Sequence, residues 1–197
     1  MNFKNMKRIR SEKDSEDESD TTTDSVICIK DSVYFYSEVN NANVLKLLEK
    51  LNEASDYSEK YHDSDNRGVY LYINSPGGSI FSGFSAMDHI YWNRVPVTTV
   101  VDGFVASSAT FLLLGGSKRK ALQNSRILIH QLFAQFWGKY NDLLDEVKNT
   151  EELMKSVKEI YTSQTYMKEK TVEALLQKEL HMNATQALNY GFVDEVW

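Results

Sequence analysis

The stretch GFVASSATFLLLGG (residues 103–116) decides how this chain is read. Small residues lead into two adjacent serines, Ser107 and Ser108. An apolar run follows and a glycine pair closes it. The pattern is that of a buried segment turning into a buried helix, with the serines at the junction. A serine at a helix start can serve as an N-cap, because its oxygen accepts a free backbone N–H. The same position suits a nucleophile. A helix end favours negative charge on oxygen, and its unpaired N–H groups can hold an oxyanion. From this segment alone both readings stand.

Two further stretches bear on the choice. NSPGGS (residues 74–79) sets a Gly-Gly turn between the apolar strand VYLYIN and a helical run, IFSGFSAMDHIYWNR. Glycines let the backbone approach a ligand and turn its N–H groups outward, but a tight strand-to-helix turn needs the same residues. RILIHQ puts His130 at the end of an apolar strand, where it serves either packing or proton transfer. Spacing does not show that Ser107 and His130 meet. A third group, usually a carboxylate, must orient such a histidine, and several acids lie downstream.

Around these segments strands and helices alternate. VICIKDSVYFYS (residues 26–37) predicts one or two strands, and NANVLKLLEKLNEA a helix with Val44, Leu45, Leu48 and Leu51 on one side, capped by Asn41 or Asn43. Residues 55–68 are polar and predict a loop. VPVTTVVDG predicts a strand, and KRKALQNSRILIHQ a turn and a strand. Residues 141–168 predict one long amphipathic helix with Leu143, Val147, Thr150, Met154, Val157 and Tyr161 in its stripe. TVEALLQKEL is a second helical piece. NATQALNYG predicts a short capped helix and FVDEVW a last strand. The alternation argues for an α/β fold with a largely parallel sheet.

The chain's 197 residues suit one domain with a real core. The net charge of −6 is uneven. A basic start, MNFKNMKRIR, precedes the acidic SEKDSEDESDTTTDS, which lacks buriable apolar residues. Residues 1–25 are therefore expected to be a disordered charged tail, and residues 26–197 the folded domain. The remainder is close to neutral, with no nucleic-acid footprint. The single cysteine, Cys28, cannot pair within the chain. No run spans a bilayer and no apolar signal core opens the chain, so a soluble cytoplasmic protein without membrane association is expected.

Taken together these stretches resemble the Clp protease proteolytic subunit (ClpP) family of serine peptidases. YLYINSPGGS is similar to that family's glycine turn, GFVASSATFLLLGG to its nucleophile segment, NSRILIHQ to its histidine segment and NATQALNYGFVDEV to its closing segment. Their order and spacing agree from about Val33 to Val196. The resemblance implies a ClpP/crotonase-like α/β fold of repeated β-β-α units with a protruding handle helix. It implies Ser107 as nucleophile and His130 as general base. Glu179 falls where the family has its triad aspartate, and the N–H groups of Gly78 and Ser108 fall at the oxyanion hole. Tyr70 and Tyr72 match positions of the family's docking pocket for AAA+ unfoldase loops, although plain strand residues read equally well there. FAQFWG resembles the strand lining the substrate groove, and the long helix resembles the handle through which heptameric rings stack as a tetradecamer. No cofactor and no metal are implied.

The chain departs from the family pattern at several places. Glu179 stands for aspartate, Leu132 for a proline after His-Gln, and Gln177–Lys178 for an acid–arginine pair used in ring contacts; the axial loop is not recognisable. Two other functions compete with ATP-dependent proteolysis of unfolded chains. An inactive ring subunit would be favoured by loss of Ser107 or His130, yet both are present and only the third position is altered. A crotonase-type acyl-CoA enzyme would share the fold, but needs neither serine nor histidine at these places.

Overall fold

The structure is a computed structural model and describes residues 25–197. The expected tail thus lies, but for Ser25, outside the described residues. The first strands, β1 (Val26–Ile29) and β2 (Ser32–Phe35), form an antiparallel hairpin. Helix α1 (Asn41–Tyr61) follows. Its cap is Asn40, one residue earlier than expected, whose side chain accepts from the Asn43 N–H at 2.9 Å. The buried side is Val44, Leu47, Leu51 and Ala54, and Leu45 is 69% exposed. The expected stripe was thus rotated around the helix. The helix also runs on through residues 55–61, which were expected to be loop. Its polar side chains there are satisfied locally: Ser55 Oγ donates to the Leu51 carbonyl at 2.7 Å, and Ser58 Oγ accepts from the Gly68 N–H at 2.9 Å.

Next come β3 (Val69–Ser75), α2 (Ile80–Tyr91), β4 (Val97–Ala106) and α3 (Ala109–Leu114). The segment KRKALQNSRILIHQ gives two strands rather than one, β5 (Lys118–Ala121) and β6 (Arg126–Leu128). The chain closes with α4 (Tyr140–Gln164), α5 (Glu169–Leu176), β7 (Met182–Asn183), α6 (Ala184–Tyr190) and β8 (Glu195–Val196). The long helix therefore stops before residue 168. In its stripe Val157 and Tyr161 are buried, whereas Leu143 and Val147 are exposed. FAQFWG forms no strand, because among the described residues no neighbouring strand supplies a ladder. Its Phe133 and Trp137 are exposed.

The sheet runs β1-β2-β3-β4-β5-β8, parallel from β2 onward, with β6 and β7 branching from β4. The branch is what builds the site. Residues Thr98–Val101 of β4 pair with β5, and Phe104–Ala106 pair with β6. Between them the β3–β4 register shifts and Gly103 takes φ +89°, where an added Cβ would lie 2.7 Å from Asn74 Nδ2. Val33, Phe35, Leu71, Ile73 and Val101 face the core, under α1 and α3. Each such fully buried side chain contributes on the order of 1.5–3 kcal/mol. The alternate residues, among them Tyr34 and Tyr72, are half-buried on the other face.

Candidate active site

Ser107 lies between the end of β4 and the start of α3, with φ +54°. A non-glycine residue in the left-handed region costs about 1–2 kcal/mol, and such outliers gather at functional turns. Three hydrogen bonds hold it there. Its N–H donates to the Leu128 carbonyl at 2.9 Å, and its own carbonyl accepts from the Thr110 N–H at 3.0 Å and from Thr110 Oγ1 at 2.6 Å. Neither serine caps α3: Ser108 makes no side-chain capping bond, and the Ser107 hydroxyl has no partner among the described residues. The reading of this pair as helix caps is thereby set aside.

The glycine turn packs directly on this elbow. An added Cβ at Gly77 (φ +95°) would lie 2.6 Å from both the Ser107 Cβ and the Ala106 carbonyl oxygen. Gly78 (φ +145°) lies equally close to the chain after β2, where a Cβ would meet the Val39 carbonyl oxygen at 2.3 Å. Backbone bonds pin the turn from that side: Val39 N–H to the Gly77 carbonyl and Ser79 N–H to the Val39 carbonyl, both 2.8 Å. Among the described residues, neither the Gly78 N–H nor the Ser108 N–H donates to any protein acceptor.

Gly78, Ser107, Ser108 and His130 line one cavity of about 500 Å³, with Ile80, Phe111, Leu132, Val157 and Tyr161 among its other walls. His130 is half-buried just past β6. No hydrogen bond joins it to Ser107 among the described residues. Such bonds are often long without substrate and tighten in the complex.

Glu179 is exposed, outside the cavity, and bonded to no described residue. The backbone nevertheless brings its segment alongside the histidine. The Gln131 N–H donates to the Leu176 carbonyl at 2.8 Å, and Ile127 pairs antiparallel with Met182. Residues 177–181 are thus held at both ends against residues 128–130, and Glu179 is the one acid in them. Two other acids are committed elsewhere. Asp142 accepts from the Lys139 N–H at the start of α4, and Asp194 accepts from the Arg119 N–H at 2.8 Å.

Tyr70 and Tyr72 lie away from this cavity, half-buried on the open face of the sheet. Tyr72 stacks on Tyr34 with ring centres 4.9 Å apart, and Tyr70 sits 6.1 Å from the Trp197 ring. Tyr36 donates its hydroxyl to the Asp102 carboxylate, and burial first, then this bond, push its phenol well above the ordinary range. Thr110 and Tyr161 are functional candidates that sequence reasoning passed over. Tyr161 stood in the helical stripe as packing; the signal was its hydroxyl, which needs a partner once buried.

A family model described as Clp protease matches residues 16–197. The chain belongs to the Clp protease family. It is 35% identical over 136 residues to the ATP-dependent Clp protease proteolytic subunit of Chlorella vulgaris, covering 68% of each chain. It is 36% identical over 134 residues to the protein of the same description from Pleurastrum terricola, covering 67% of this chain and 68% of that one. The mixed α/β architecture is that of the ClpP fold family, and the chain is accordingly a protease. Among the described residues no helix is long and apolar enough to cross a membrane.

Proposed function

We propose that this member of the family is a serine endopeptidase in which Ser107 attacks the peptide carbonyl and His130 takes its proton. The observation that carries the reading is the pair of unengaged N–H groups, Gly78 and Ser108, on the cavity that also holds Ser107 and His130. As the carbonyl becomes tetrahedral, its oxygen gains charge and both N–H groups donate to it. Each such donor is worth about 10²–10³ in kcat. His130 then passes the proton to the leaving amine, freeing one product and leaving an acyl ester on Ser107. Water attacks that ester by the same route in reverse. Glu179 orients the imidazole once its side chain turns inward from the segment held against residues 128–130.

The assembly we infer is a stack of two heptameric rings, with unfolded chains and short peptides as substrates. The exposed apolar half of α4 and the FAQFWG segment support it, since among the described residues both leave large apolar side chains exposed. Docking of a AAA+ unfoldase on the aromatic face around Tyr70 and Tyr72, a tail of residues 1–25 outside a domain of residues 26–197, and a cytoplasmic location complete the reading. The test is a fluorophosphonate probe followed by mapping of the modified residue. An adduct on Ser107 is expected; an assembled chain that takes up none is an inactive ring subunit.

A further inference from the structure

The handle helix α4 reaches the nucleophile turn through one buried polar contact. The Tyr161 hydroxyl lies 2.7 Å from Thr110 Oγ1, which in turn lies 2.6 Å from the Ser107 carbonyl oxygen. The direction of the relay follows from hydrogen count. A threonine hydroxyl has one hydrogen, and a carbonyl oxygen can only accept. Thr110 therefore gives its hydrogen to Ser107, and Tyr161 donates to Thr110. Burial pushes the Tyr161 phenol well above its ordinary range, so it carries that hydrogen at any neutral pH.

The Ser107 carbonyl and the Ser108 N–H belong to one peptide group. That group is planar and trans, so its C=O and N–H point in opposite directions. Whatever holds the carbonyl toward Thr110 therefore fixes the opposite direction of the N–H of Ser108, a residue that lines the cavity. Donors on the carbonyl also polarise the group and strengthen its N–H as a donor. We propose that Tyr161 is a positioning residue for peptide hydrolysis: through Thr110 it locks the Ser107–Ser108 peptide, and so aims the Ser108 N–H at the developing oxyanion. It rests on the assignment of Ser107 as nucleophile and adds to it a role for α4 in setting the rate.

The test uses the assembled full chain and a short fluorogenic peptide. Tyr161→Phe keeps the ring against Phe111 and Phe192, both with centres 5.8 Å away, and removes the outer donor alone. It should lower kcat about 3–10-fold with KM within about twofold. Thr110→Val removes the whole side-chain contact to the carbonyl and should lower kcat about 10–100-fold. Thr110→Ser keeps the hydroxyl and should restore most of the rate. The double variant Tyr161→Phe/Thr110→Val should match Thr110→Val alone, because the outer bond acts only through the inner one. Equal kcat in wild type and Tyr161→Phe overturns the proposal, as does additive loss in the double variant. If Thr110→Val fails to assemble, Tyr161→Phe and Thr110→Ser decide between them. Fluorophosphonate labelling separates the two levels. Wild type that labels at Ser107 while Tyr161→Phe turns over normally defeats the relay and leaves the nucleophile standing. Wild type that does not label at Ser107 defeats both.

Discussion

Gly78→Ala is the perturbation whose effect can be worked most fully from the structure. The residue has φ +145°, and a methyl there would lie 2.3 Å from the Val39 carbonyl oxygen and 3.0 Å from Glu38 Cγ. Relief to a contact of about 3.5 Å requires a displacement of about 1 Å. The two 2.8 Å backbone bonds between Val39 and the turn resist that shift from one side, and the Ser107 elbow blocks Gly77 on the other. The strain therefore moves the Gly78 amide itself. A donor that must sit about 2.9 Å from its acceptor does not survive a 1 Å error (about a third of that distance). Losing one oxyanion donor lowers kcat about 10²–10³-fold, while KM changes little because the ground-state carbonyl is held weakly there. The positive φ adds about 1–3 kcal/mol of destabilisation. Initial rates on a short fluorogenic peptide, paired with a thermal melt of the same sample, measure both effects. A variant that melts lower yet keeps kcat within about threefold of wild type would refute the assignment of Gly78 as a donor.

Glu179→Gln should leave the assembly intact and cut turnover about 10²–10⁴-fold in initial rates on a short peptide; full turnover in the variant places the orienting group elsewhere. Leu144→Asp on the exposed half of α4 should reduce the native mass measured by light scattering, with secondary structure unchanged; an unaltered mass would count against ring stacking through this helix. Burial, then the charge of Glu53, raises the Cys28 thiol to about 11. The folded state thus keeps that proton above pH 9 while the unfolded chain gives it up, so this group's contribution to stability falls as pH rises from 9 toward 11; alkylation of Cys28 that is already fast at pH 8 in the folded protein contradicts this.

Much of the fold was legible because apolar periodicity and turn chemistry are local. VYLYIN and NATQALNYG became β3 and α6, the latter closed by Gly191 at φ +79° and capped by Asn183. Where tertiary context decides, the sequence misled. Leu45 and Leu47 are equally apolar, and only the sheet beneath α1 determines which is buried. Residues 55–61 are polar enough to suggest a loop, yet Ser55 and Ser58 close their own hydrogen bonds inside the helix and at its flank. At the site, the two glycines and the serine pair marked the elbow. What joins them was not legible: the contact of Gly77 with Ser107 spans separate βα turns, and the Tyr161–Thr110 bond links residues 51 apart. Glu179 was found through resemblance, and its position beside the histidine segment depends on backbone pairing that no residue pattern announces.

As the proposed nucleophile, Ser107 sits on an elbow where its neighbour Ser108 contributes only its backbone. Mass-spectrometric mapping after fluorophosphonate treatment, run on wild type, Ser107→Ala and Ser108→Ala, tests it most directly. An adduct is expected on Ser107 in wild type and in Ser108→Ala, and none in Ser107→Ala. An adduct on Ser108, or one that persists in Ser107→Ala, would contradict it.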